Sequence, residues 1–156
     1  MKKSICLLAA LFSLSPVAAI SAENHGDWIS KKEDGRCTAW TLPQMSQGGN
    51  GKGRYVSIVN VPEEGVKNSV ALVYGKSGAG KTHASASVDG QTFELLTFNT
   101  AAFAASGKPE AALIKAMRGG SEIEVNWTEN DGSIYRDTYS LIGFTAAKNK
   151  IDADCR

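Results

Sequence analysis

Glu122 to Thr128 alternates strictly: Ile123, Val125 and Trp127 fall on one side, and Glu122, Glu124, Asn126 and Thr128 on the other. A period of two with one apolar side predicts a half-buried antiparallel strand. Asn130-Asp131-Gly132 follows as a turn, and Ser133 to Leu141 returns as the partner strand. Similar short runs predict strands at Asp27–Ser30, Cys37–Leu42, Tyr55–Val61, Ser69–Tyr74, His83–Val88 and Gln91–Phe98. Asp89-Gly90 reads as a two-residue hairpin turn, because both residue types tolerate positive φ. Pro43 to Gly53 is polar, glycine-rich and aperiodic, so it reads as a loop. Two segments have helical spacing. Pro109 to Met117 opens on a proline suited to a first turn, carries the stripe Leu113, Ile114, Met117, and stops at Gly119-Gly120. Phe144 to Asp154 places Phe144, Ala147 and Ile151 on one face, with Cys155 continuing it. These elements predict a mainly β protein: an antiparallel β-sandwich or barrel-like domain with two short helices, the second at the C-terminus.

The first residues follow a different pattern. Lys2 and Lys3 precede the apolar run Ile5–Leu14, and Ser15 to Ala22 is rich in small residues and broken by Pro16. This is the arrangement of a secretory signal peptide, with cleavage expected after Ala22 or, failing that, after Ala19. The apolar run is shorter than the roughly 20 residues that a transmembrane helix needs. Cys6 lies too early, without a lipobox, for a lipoprotein. Residues 1–22 are therefore read as signal peptide and 23–156 as one domain, periplasmic or secreted. Loss of Lys2 and Lys3 from a chain of net charge +1 leaves a slightly acidic domain. Such a domain lacks the basic footprint of a nucleic-acid or anionic-membrane binder, and no second apolar segment is long enough to span a bilayer.

Export makes the cysteines informative. Cys37 and Cys155 remain after cleavage, and an even pair in an oxidising compartment predicts a disulfide; free thiols or pairing between chains are the alternatives. Gly75-Lys76-Ser77-Gly78-Ala79-Gly80-Lys81-Thr82 matches G-x-x-x-x-G-K-[ST] letter for letter. A phosphate loop needs a helix starting at its lysine, whereas His83 to Gly90 alternates and runs into a hairpin turn. No later strand ends in a Walker-B aspartate. Gly75–Thr82 is read as a strand connection, with no nucleotide bound. His25 and His83 are far apart in sequence and make no zinc site with two bridged cysteines. Asp27, Glu63-Glu64 and Asp131 read as solvated turn or surface carboxylates. Asp137 shares a strand face with Tyr135, Tyr139 and Leu141, so it is expected to be partly buried and hydrogen-bonded to backbone or hydroxyl groups. The sequon Asn126-Trp127-Thr128 lies inside a strand. No catalytic, cofactor or metal site is assigned.

Ala112-Leu113-Ile114-Lys115-Ala116-Met117-Arg118-Gly119-Gly120, the segment Asp137 to Ala147 containing Ser140-Leu141-Ile142-Gly143-Phe144-Thr145-Ala146-Ala147, and the terminal Asp154-Cys155 carry a resemblance. Together with Trp28, Cys37 followed by Pro43, and Val88-Asp89-Gly90-Gln91-Thr92-Phe93-Glu94-Leu95, they resemble the bacterial invasion-associated locus B family. The likeness spans nearly all of residues 23–156, most specifically at the end. It implies a β-dominated protein exported by a Gram-negative cell and associated, in some members, with host-cell invasion. Many members carry further cysteines that this chain lacks, so a second bridge does not carry over. The expected function is that of a non-enzymatic envelope or virulence-associated protein that binds a protein or cell-envelope component. The alternatives are an extracytoplasmic hydrolase and a purely structural envelope stress protein.

Overall fold

The computed structural model describes residues 22–48, 51–75, 83–129 and 131–156. The leader pattern, apart from Ala22, and the lookalike loop, apart from Gly75, lie outside the described residues. The strands are β1 (Glu23–His25), β2 (Trp28–Glu33), β3 (Arg36–Thr41), β4 (Met45–Gln47), β5 (Tyr55–Val61), β6 (Val66–Val73), β7 (His83–Val88), β8 (Gln91–Phe98), β9 (Ala101–Phe103), β10 (Glu122–Thr128) and β11 (Ile134–Ser140). A 3-10 turn at Pro62–Glu64 joins β5 to β6. The helices are α1 (Lys108–Gly119) and α2 (Phe144–Asp154).

All 11 strands join one antiparallel sheet in the order β1-β2-β3-β5-β6-β9-β8-β7-β10-β11-β4, and the sheet does not close into a barrel. β8 serves both halves. Gln91 to Leu95 pairs with β7, and Leu96 to Phe98 pairs with β9. The sheet folds over there, so that the inward side chains of the halves meet: Ile58 and Leu72 from one, Ile123, Val125 and Trp127 from the other. Hairpins form where the sequence offers positive-φ residues, at Asp34-Gly35 and at Asp89-Gly90 (φ 48° and 83°).

The period-two reading holds where strands are long. β5, β7, β8 and β10 have the predicted bounds, and Ile123, Val125 and Trp127 are buried. One expectation needs correction: the stretch from Pro43 to Gly53 is not all loop. Met45–Gln47 pairs with Arg136–Thr138. Three residues without apolar alternation carry no periodic signal; β4 is held by backbone pairing, including Gln44 N–H to the Thr138 carbonyl. β1 and β9, also three residues long, escape the pattern for the same reason.

α2 packs on the inner face of β1, β2, β3 and β5. Phe144, Ala147 and Ile151 are buried as the spacing predicts, and Phe144 meets Trp28 edge-on at 4.9 Å. Cys37 and Cys155 are joined in a disulfide, Cα to Cα 6.0 Å across 118 residues of sequence. Polar contacts reinforce it. Asn60, at the bulge between Val59 and Val61, donates from Nδ2 to Asp152 and accepts at Oδ1 from the Asn68 N–H. The buried ammonium of Lys148 pairs with the same carboxylate, Asp152. Burial pushes the Asp152 carboxyl upward, but the hydrogen bonds from Lys148 and Asn60 outweigh it and hold it below the usual range.

Replacing Cys37 and Cys155 by Ser should lower stability by about 2–5 kcal/mol in a denaturant titration. Hydrogen exchange should then accelerate from Thr145 to Asp154 more than in Ile123–Trp127. Asp152→Asn should cost about 1–3 kcal/mol, because it leaves the Lys148 ammonium without its counter-charge. Since the folded-state pKa is depressed, the stabilisation is present above the unfolded value. The gap between wild type and Asp152→Asn should therefore be level above about pH 5 and shrink as pH falls further. A gap that is independent of pH would contradict this.

Candidate functional site

Two features stand out: a buried polar cluster and a bare apolar face. The cluster centres on Arg54, the residue before β5, and Asp137 in β11. Their side chains are 5% and 0% exposed, and Nη1 donates to Oδ1 at 2.9 Å. The guanidinium lies 4.9 Å from the Tyr74 ring centroid and 5.1 Å from that of Tyr135, so it is held by ring faces as well as by charge. Tyr74 also packs on Trp127 at 5.0 Å and donates its hydroxyl proton to Glu129 Oε1 at 2.5 Å. Tyr139 reaches Asp137 Oδ2 at 3.5 Å. Burial first, then the neighbouring carboxylates, push the Tyr74 and Tyr139 hydroxyls far up, so both stay protonated donors at neutral pH.

Asp137 is thus fully buried rather than partly so; it has the expected hydroxyl partner in Tyr139, but its closer partner is a cation. A carboxylate this dry requires a counter-charge. Its position on the inward parity of β11 between Tyr135 and Tyr139 hints at that need. No periodicity points to Arg54, which follows Gly51-Lys52-Gly53 and adjoins an apolar strand. Chemically the cluster fastens: its carboxylate is taken by arginine, its phenols are fixed as donors, and it includes no histidine, serine or cysteine.

The other sequence candidates are dispersed. His25 Nε2 meets Ser30 Oγ at 2.8 Å, and His83 is exposed at the start of β7. Asp27 and Glu63-Glu64 are exposed, the latter in the 3-10 turn, and Asp131 is an exposed turn residue whose carboxylate accepts the Ser133 N–H. Among the described residues no three His, Cys, Asp or Glu are grouped to hold a metal. After Thr82 the chain enters β7, a strand, where a phosphate loop would require a helix.

The outward faces of the two sheet halves differ sharply. Across β7, β10 and β11 the outward positions include Ser85, Ser87, Glu124, Asn126, Arg136 and Thr138. Asn126 hydrogen-bonds Glu124 and Arg136, and Arg136 pairs with Glu124 at 3.4 Å. The middle of that face is polar, with Met45 and Ile134 exposed singly at its margin. On the other half, one register runs Ile29, Trp40, Ser57, Ala71, Phe103, Leu96 across six strands; the next runs Tyr55, Val73, Ala101, Phe98. Small side chains in the middle and large ones beside them form an open trough of about 450 Å³, lined by Tyr55, Ser57, Val59, Ala71, Val73 and Phe103 among others. Leu96 and Phe98 are 63% and 68% exposed. β5 and β6 thus carry apolar residues on both faces, as strands do when both faces are covered. Here α2 and the opposing half cover the inner face, and no described element lies on the outer one. Soluble domains seldom leave a contiguous apolar patch of this kind uncovered. The sequence predicts Tyr55–Val61 as a strand, but apolar residues on both of its parities do not tell which face is left uncovered.

Residues 29–152 match the family described as Invasion associated locus B (IalB) protein. No curated protein and no solved structure matches the chain.

Arg54→Met and Asp137→Asn should each cost about 3–5 kcal/mol in urea denaturation, because each strands a buried polar partner. A double variant with apolar residues at both positions should cost less than the sum of the singles. Single losses below about 1 kcal/mol, the range of surface pairs, would show that the pair is not buried in solution.

Proposed function

The chain belongs to the invasion associated locus B family, and on that premise we propose that it is an exported, non-enzymatic interaction module of the cell envelope, docking a protein through the outward face of β3, β5, β6, β9 and β8. The observation that carries this reading is the contrast between its two outer faces. One is a hydrogen-bonded polar ladder, and the other is an apolar trough with Leu96 and Phe98 standing in solvent. The leader pattern and the Cys37–Cys155 bridge support placement in an oxidising compartment. The polar clusters described, Arg54 with Asp137 and Asn60 with Lys148 and Asp152, tie the sheet halves and α2 together, and a strand follows the phosphate-loop lookalike; both favour binding over catalysis or nucleotide use. The structure contains no helix, among the described residues, long and apolar enough to cross a membrane.

A photoactivatable phenylalanine analogue at Phe103 tests the reading in the exporting cell. Irradiation should give a protein adduct from that position and none from the same analogue at Ser85 on the polar face. Equal adducts from both positions, or none from Phe103, would refute the docking assignment.

A further inference from the structure

We propose that the occupant of the apolar face is a second copy of this chain, joined in an isologous two-fold dimer; this rests on the docking reading above and names its partner. The face carries both halves of a self-complementary contact. Its projections are Leu96 and Phe98 on β8. Its hollow is floored by Ser57 on β5 and by Ala71 and Val73 on β6. Projection and hollow share registers: Ala71 faces Phe103, which faces Leu96, while Val73 faces Ala101, which faces Phe98. They stand two strands apart, about 10 Å at the usual strand spacing. A two-fold axis parallel to the strands and near β9 lays β8 of each copy over β6 of the other. Each copy's Leu96 and Phe98 then enter the other's hollow, with the two Phe103 rings meeting near the axis. An isologous interface requires this reciprocity.

Size and charge bear on the choice of occupant. β5 and β6 run about 20 Å, whereas β9 and the Leu96–Phe98 stretch of β8 run about 10 Å; at about 4.8 Å per strand the face offers roughly 300 Å² of flat sheet per copy, which places a contact between two copies at the small end of specific interfaces. A single helix laid in the trough would leave Leu96 and Phe98 in water. An anionic bilayer would find a face edged by Glu64 and Glu94 as well as Arg36 on a slightly acidic domain. A face this small is expected to give a weak dimer that dissociates on dilution.

Sedimentation velocity of the leader-free, oxidised protein tests this. Wild type should be dimeric near about 100 μM and dissociate on dilution. Leu96→Asp and Ala71→Arg should each be monomeric, with unchanged near-UV circular dichroism and an intact disulfide. An equimolar mixture of the two variants should recover dimer, because the new carboxylate of one copy meets the new guanidinium of the other while the second contact remains native. A monomeric wild type at that concentration, or variants that remain dimeric, would overturn the proposal. Should either variant fold poorly, Phe98→Asp, at an exposed position, replaces it. The adduct from the analogue at Phe103 separates the two readings. At twice the chain's mass it supports the dimer; at another protein's mass it keeps the docking face and discards the second copy; its absence discards both.

Discussion

The ion pair of Arg54 with Asp137 is the constraint on which the rest of the fold depends. Arg54 enters β5 in one half of the sheet and Asp137 sits in the middle of β11 in the other, and both are cut off from water. Any arrangement that buries one without the other carries the cost of a bare charge in a dry core. That penalty excludes shifted dockings of the halves, which simple apolar burial would tolerate. The surrounding rings make the requirement sharper. Tyr74 and Tyr135 bracket the guanidinium, and Tyr74 leans on Trp127. Elsewhere Trp28 Nε1 donates to the Ser140 carbonyl, a second polar tie across the core. With the halves so fixed, α2 covers the remaining inner surface and the disulfide ties its end to β3.

Much of this was readable from residue order. Alternation located the long strands, Asp-Gly marked the β7–β8 hairpin, and the Phe144–Ala147–Ile151 spacing placed α2 and turned Cys155 toward Cys37. What periodicity missed has physical reasons. β1, β4 and β9 are too short to alternate and exist through backbone pairing. Arg54 is bound to Asp137 by a contact spanning 83 residues, a distance at which local pattern says nothing. The apolar face was hidden differently. An apolar residue at both parities of β5 signals two covered faces, and only the folded arrangement reveals that one cover is absent from the described chain.

That uncovered face gives the family membership a physical content. The outward residues of β7, β10 and β11 are mostly polar and hydrogen-bonded to one another, whereas those of β5, β6, β9 and the end of β8 are mostly apolar, with Leu96 and Phe98 exposed. A domain closed by a disulfide and a buried ion pair is a rigid platform, so presenting this face costs little ordering entropy on association. The proposed docking function rests on this contrast between the faces.

The most direct test of that proposal is hydroxyl-radical footprinting of the protein in intact envelopes, set against the same protein purified at high dilution. The account predicts that Tyr55, Leu96, Phe98 and Phe103 are labelled in the dilute protein and protected in the envelope, while exposed Ile134, outside the apolar face, is labelled alike in both. Equal labelling of the apolar face in the two states would contradict it.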